Sequence, residues 1–218
     1  MLYIVLSIVL IWLVLMPLHF RSKAWHSKVP TRIAKVVPTL IAAAFAAYAC
    51  FFTHTPQPYA MLVFIGLCIC TLADLMIEIR FEVGGALFFI GHVFYVAALA
   101  FFRMVSWQNA MVFVAAVALL LFFILRYRAQ LPHKLLLYGL IIYSLALSAL
   151  LALSLPLPFM AYSTSALCAA VGAALFVASD MTLCHNTLCN KPVPYHFFSL
   201  GLYYMGQLFL ALSTMPRP

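Results

Sequence analysis

The chain is a succession of apolar runs, each close to twenty residues long, separated by short basic or proline-bearing connections. A run of that length crosses the hydrocarbon layer of a bilayer as an α-helix, and inside that layer each backbone N–H and C=O must be paired within its own segment. Eight spans are read, at about 2–19, 33–53, 59–79, 84–103, 108–126, 134–154, 161–183 and 195–214. Of the 218 residues, 67% are hydrophobic and 7% charged, too little polar surface for a soluble domain of this size. A membrane β-barrel needs roughly ten-residue strands of alternating polarity, and that pattern is absent. The expected fold class is therefore all-α: one polytopic membrane helical bundle of about eight transmembrane helices, a single integral membrane domain over residues 1–218. The first span lacks a basic leader and is followed by a basic cluster, so it reads as a retained helix rather than a cleaved signal. Ten of the twelve prolines fall at span edges or in connections, while Pro17 and Pro38 lie inside the first two spans, near one end.

Charge sets the expected orientation. Arg21, Lys23, Lys28, Arg32 and Lys35 lie between spans 1 and 2, Arg80 between 3 and 4, Arg126, Arg128 and Lys134 between 5 and 6, and Lys191 between 7 and 8. That places ten of the twelve Lys and Arg on one side and leaves Arg103 and Arg217 for the other. By the positive-inside rule the first side is cytoplasmic and both termini lie outside. The net charge of +8 is then a collar at the membrane surface that attracts anionic lipid. Spread over short loops, it does not make a nucleic-acid site. A bacterial inner membrane fits this pattern.

Against that apolar background, four acidic residues stand out. Asp74 closes "GLCICTLAD", eight residues after Gly66, and Asp180 closes "GAALFVASD", eight residues after Gly172. Each ends the third span of a four-span half, which suggests two parallel repeats, 1–105 and 106–218. Both carboxylates then lie towards the cytoplasmic end of inward-running helices. Lys35, His92, Tyr143, Tyr203 and Gln207 fall at compatible depths on outward-running spans. In span 8, His196, Ser199, Tyr203 and Gln207 draw one polar stripe, and in span 4 Gly85, Phe88, His92 and Tyr95 draw another; a polar stripe turns inward, away from lipid. Ser165, Ala169, Gly172 and Ala173 give span 7 a small-residue face suited to close packing.

Each residue also has a plainer reading. Glu78 and Glu82 beside Arg80 read as charges at the aqueous edge. Asp74 or Asp180 could cap a turn or pair with a basic neighbour, Lys35 could serve orientation alone, and His92 and Tyr143 could be packing residues. Cys50, Cys68, Cys70 and Cys168 lie within spans as small packing side chains. Cys184, His185, Cys189 and His196 have no spacing that matches a zinc site, and no metal or other cofactor is expected.

The pieces "KVVP" at 35–38, "ADLMIEIRFEVGGALFFIGHVFY" at 73–95, Tyr143, "GAALFVASD" at 172–180 and "YYMGQLFLALS" at 203–213 resemble the lysoplasmalogenase family, the YhhN-type membrane proteins. The resemblance runs from span 2 to span 8. It departs from the family at Ala73, where Gly is usual before Asp, and at "MTLCHNTLCNKP", where the family continues apolar. It implies an eight-span ether hydrolase that cleaves the vinyl-ether bond of lysoplasmalogens, giving a fatty aldehyde and a glycerophospho-choline or -ethanolamine. Vinyl-ether hydrolysis needs one acid and one carboxylate base, so Asp74 and Asp180 are the expected catalytic pair, with the less charged surroundings of Asp180 favouring it as the acid. His92 and Tyr203 would orient water or the donor, and Tyr143 and Gln207 would line the substrate site. Lys35 would meet the phosphate of a single-chain lipid arriving from the inner leaflet. The expectation is one cavity around Asp74, Asp180, His92 and Tyr203. Two rivals stand beside this reading: a zinc-dependent lipid hydrolase of the ceramidase kind, and a lipid carrier without catalysis.

Overall fold

The computed structural model describes residues 2–24, 28–52, 58–102, 105–131, 133–189 and 191–215. Among these it is helical throughout, with no strand. α1 (Leu2–Leu10) runs through a π-helical turn (Ile11–Leu15) into α2 (Met16–Ala24). The other long helices are α3 (Lys28–Phe51), α4 (Pro58–Ile77), α5 (Phe81–Ala100), α6 (Trp107–Arg126), α7 (Lys134–Ser154), α9 (Thr164–Leu188) and α10 (Val193–Leu212). Six of them are long and apolar enough to cross a membrane, and a shorter apolar helix, Leu6–Arg21, precedes them. Many large apolar side chains face outward, among them Leu13, Val114, Phe122 and Leu135. An outer surface of that kind belongs in lipid, and the protein is an integral membrane helical bundle.

Prolines and caps explain the breaks. The π-turn ends two residues before Pro17, whose missing N–H disturbs the ladder there. Pro38 stays inside α3. One residue past the carbonyl that Pro38 leaves without its ladder partner, Lys35 O accepts from the Tyr204 hydroxyl at 2.9 Å. Ser106 and Asn109 form a capping box at the start of α6, and the Ser163 side chain accepts from Ala166 N at 3.2 Å to open α9. Between α7 and α9 a short helix, α8 (Leu157–Ala161), ends on Tyr162 with φ 45°.

The helix that carries Asp180 runs further than the sequence suggests. Expected to end near 183, α9 continues to Leu188 through the polar stretch that departs from the family pattern. Asn186 explains the extension: its Nδ2 donates to Tyr195 O at 2.9 Å and its carbonyl accepts from Lys191 N at 2.8 Å, which fastens the end of α9 to the start of α10.

The helices alternate in direction, so the bundle has two ends. At one, Tyr59 and Ser213 share a hydrogen bond of 2.5 Å, Tyr59 packs on Phe102, and Asn109 Nδ2 donates to Ala152 O at 2.7 Å. At the other, Lys35 meets Glu78, and Tyr127 meets His185. All ten Lys and Arg among the described residues lie on this Lys35 side, at most about two turns inside a helix end. Arg103 and Arg217, expected opposite, lie outside the described residues.

Close approach of glycines joins α4 to α5 and α9 to α10. A Cβ on Gly66 would sit 3.2 Å from Gly91 O, and one on Gly172 would sit 3.0 Å from Gly206 O. α5 packs on α7, and α10 packs on α3. The contacts of 1–105 thus correspond pairwise to those of 106–218, each half lending its last helix to the other half's second long helix.

Candidate active site

Asp74 lies one turn from the end of α4, buried at 1% exposure. Its Oδ2 accepts from the Thr39 hydroxyl at 2.6 Å and from the Tyr203 hydroxyl at 2.8 Å. Thr39 follows Pro38 on α3, and Tyr203 reaches across from α10, so helices of both halves hold one carboxylate. Its Oδ1 is buried without a hydrogen-bond partner. One turn further towards the bundle end, Lys35 Nζ pairs with Glu78 Oε1 at 2.8 Å, both part-buried. Glu78, expected as an edge charge, is thus an internal partner of Lys35, while Glu82 is exposed.

Asp180, on α9, is half-buried and accepts from the Tyr143 hydroxyl at 2.5 Å. It lines a side-opening cavity of about 60 Å³ between α6, α7 and α9, with Leu120, Ile124, Leu147 and Cys184 among its walls. The cavity has room for about two waters at a wall otherwise nearly apolar, and it opens to the outside of the bundle. A larger groove of about 320 Å³ between α5 and α7, lined by Phe89, Val93, Ile142 and Leu145, carries no titratable group.

Rings separate the two carboxylates. Phe176, fully buried one turn before Asp180, packs edge-on against His92 at 4.4 Å and against Tyr203 at 5.3 Å between centroids. His92 in turn meets Tyr143 at 5.2 Å, and Phe88 meets Tyr203 at 5.6 Å. The path from Asp74 to Asp180 therefore runs Tyr203, Phe176, His92, Tyr143. His92 Nδ1 lies 2.6 Å from Phe88 O, and its Nε2 is buried without a partner. Gln207 Oε1 accepts from Tyr95 at 2.7 Å, and its Nε2 is likewise unpartnered. His92 follows Gly91 and Gln207 follows Gly206, so these two nitrogens stand at corresponding places in the halves. Unpaired buried polar atoms are costly and rare, and among the side chains of the described residues they number three, all on residues singled out from the sequence.

The structure thus brings Tyr203 to Asp74 and Tyr143 to Asp180, with His92 and Gln207 between. It does not gather Asp74, Asp180, His92 and Tyr203 around one cavity: the opening at Asp180 stops at the ring wall, because Phe176 fills the space between the halves. Thr39, Tyr95, Phe176 and Glu78 are additions. Thr39 lies one turn after Lys35 and Phe176 one turn before Asp180, a spacing that marks a shared helix face. Among the described residues no three His, Cys, Asp or Glu side chains group as metal ligands would.

A profile of the YhhN family, the family of lysoplasmalogenases, matches residues 31–214, nearly the whole chain. The chain belongs to the YhhN family. No curated protein and no solved structure matches it. The matched region contains all four acidic residues and the whole ring wall of this YhhN protein.

Proposed function

We propose that this YhhN protein hydrolyses the vinyl-ether bond of lysoplasmalogens with Asp180 as general acid and Asp74 as general base. The observation that carries the reading is the pair of hydroxyl-held carboxyls on either side of an aromatic wall, one of them opening to lipid. A vinyl ether reacts by protonation at the carbon remote from oxygen. Asp180, at the cavity, delivers that proton, and the positive charge develops on the adjacent carbon and the ether oxygen. Electron-rich faces of Phe176, Tyr203 and Phe88 favour a cation beside them. On this reading Phe176 swings aside as substrate enters, and Asp74 Oδ1 takes a proton from water as its oxygen adds to the cationic carbon, while Thr39 and Tyr203 fix Oδ2. The unpartnered nitrogens of His92 and Gln207 supply hydrogen bonds for that water and for the ether oxygen. The resulting hemiacetal loses its hydroxyl proton to Asp180, Asp74 returns a proton to the departing glycerol oxygen, and aldehyde and alcohol leave with both carboxyls reset. This is two-carboxylate logic of the kind used by inverting glycosidases.

The Lys35 end is the cytoplasmic one on this reading, by the positive-inside rule, and substrate arrives from the inner leaflet of a bacterial inner membrane. The test is purified protein with a lysoplasmalogen, its saturated alkyl-ether analogue and its acyl analogue, followed by aldehyde detection. Only the first should yield aldehyde, and in D2O that aldehyde should carry one deuterium on the carbon next to the carbonyl. Cleavage of the acyl analogue alone, or aldehyde without deuterium, sinks the proposal.

A further inference from the structure

The structure assigns a second binding feature, resting on the vinyl-ether reading above: we infer that the phosphate of the lysophospholipid is received by Arg126 and the Tyr127–His185 pair at the end of α6 and α9, and not by Lys35. The cavity at Asp180 runs from Leu120 and Leu147 in the apolar depth past the carboxyl to Ile124 and Cys184. The next positions towards the bundle end are Tyr127, following α6, and His185 on α9. With the ether oxygen at Asp180 and the chain lying towards Leu120, the glycerol carries the phosphate roughly one helical turn, about 5.4 Å, in that direction.

The groups waiting there suit a phosphate. The Tyr127 hydroxyl and His185 Nδ1 share a hydrogen bond of 3.0 Å, with ring centroids 5.4 Å apart. When tyrosine donates to Nδ1, the ring proton of His185 resides on Nε2, which is then a donor. The Arg126 guanidinium lies 5.9 Å from the Tyr127 ring centroid. Guanidinium forks match phosphate oxygens in pairs. Arg126 is exposed, and Tyr127 and His185 are half-buried, as a head-group contact at the membrane surface should be.

Charge separates this place from Lys35. Three of the four acidic residues lie on one side, Asp74 on α4, Glu78 in the turn after it and Glu82 on α5, and Asp180 is the only one on the other side. No described carboxylate pairs with Arg126, Arg128 or Lys134, so their charge remains available to an anion. Lys35 is held by Glu78, and taking up a phosphate there would break that pair and leave a part-buried carboxylate behind. Lys35 is also on the far side of the ring wall from the cavity.

The experiment uses the full-length protein in phosphatidylcholine nanodiscs and two uncleaved probes: a 1-O-alkyl glycerophosphoethanolamine, and the 1-O-alkylglycerol that lacks its phosphate. Removing a charge-assisted contact should weaken binding about tenfold or more. Arg126→Gln with His185→Gln should show that loss for the phospholipid probe and none for the alkylglycerol. Tyr127→Phe, which removes the hydrogen bond and no charge, should show a smaller loss of the same selectivity. Lys35→Met should leave both affinities within about threefold. Equal loss for both probes, no loss for either, or a phosphate-selective loss in Lys35→Met overturns the assignment. The probes bind without being cleaved, so the result does not depend on aldehyde release, which reports separately on the vinyl-ether reading.

Discussion

The Asp74 and Asp180 halves of the bundle are built to one plan and finished differently. Each has an Asp eight residues after a contact glycine, a hydroxyl donor from the preceding long helix, and a helix lent by the other half. The difference lies in what the lent helix brings. α10 brings Tyr203, whose hydroxyl reaches Asp74. α5 brings Phe88 at the corresponding place, three residues before Gly91, with no hydroxyl to offer Asp180. Asp74 therefore sits closed in, doubly held, beside the Lys35–Glu78 pair. Asp180 has a single hydroxyl donor, Tyr143, and a cavity at its side. One arrangement of helices in this way holds one carboxylate closed in and the other beside a cavity, because a single hydroxyl decides how many donors a carboxylate receives.

The largest effect that would break this comparison is loss of either carboxyl. Asp74→Asn and Asp180→Asn should each lower kcat by at least about 10²-fold, the lower range for acid–base groups. The protein should remain folded, since a neutral amide is cheaper to bury than a charge. Steady-state aldehyde release at matched abundance checks this, and wild-type turnover in either variant ends the two-carboxylate account.

Tyr143→Phe against Tyr203→Phe sharpens the asymmetry. Asp180 loses its one hydroxyl in the first, and kcat should fall about tenfold or more, as for a hydrogen bond to a charged group. Asp74 keeps Thr39 in the second, and the fall should be severalfold smaller. Equal losses would show that the second hydroxyl on Asp74 does nothing.

The corresponding glycine contacts can be probed by stability. A Cβ on Gly172 would lie 2.8 Å from Leu210 N, whereas one on Gly85 would meet nothing within 4 Å. Gly172→Val should cost about 1–3 kcal/mol, as overpacking does, and lower the melting temperature of the detergent-solubilised protein. Gly85→Ala should not lower it. Similar melting curves for the two would remove the close-packing account of the α9–α10 pair.

The smallest effects concern the membrane edge. Glu82 is exposed and unused by the mechanism, so Glu82→Gln should keep turnover within about threefold, less than half the logarithmic step of a lost neutral hydrogen bond at the upper end of its range. For orientation, Ala129→Cys lies at the Lys35 end and Val105→Cys at the Tyr59 end, both exposed. Labelling by an impermeant maleimide should reach Val105→Cys in intact cells and reach Ala129→Cys only after permeabilisation. The opposite pattern would move the acid–base pair to the outer leaflet.

The succession of apolar helices, the gathering of basic residues at one end and the inward polar stripes were legible, because each depends on residues close together in sequence. Ser199, Tyr203 and Gln207 are buried, as their spacing on one helix face requires. Legibility stopped where a contact joined distant helices. Glu78 read as an edge charge because nothing in its own segment announces Lys35, 43 residues earlier. The extension of α9 past residue 183 depends on Asn186 reaching Tyr195, and a polar stretch alone does not reveal such a partner.

The sequence by itself determined that this protein lives in a bilayer as antiparallel helices, and towards which end of the bundle its two aspartates lie, because hydrophobic length and charge placement act on each segment separately. Only the tertiary structure decided which hydroxyl reaches which carboxylate. That choice follows from α10 packing on α3 and α5 packing on α7, and it is settled by glycine contacts and ring packing between helices whose order in space no local pattern records. Phe176 shows the difference most plainly: in sequence it is one more apolar residue of a span, and in the folded bundle it stands between Asp74 and Asp180.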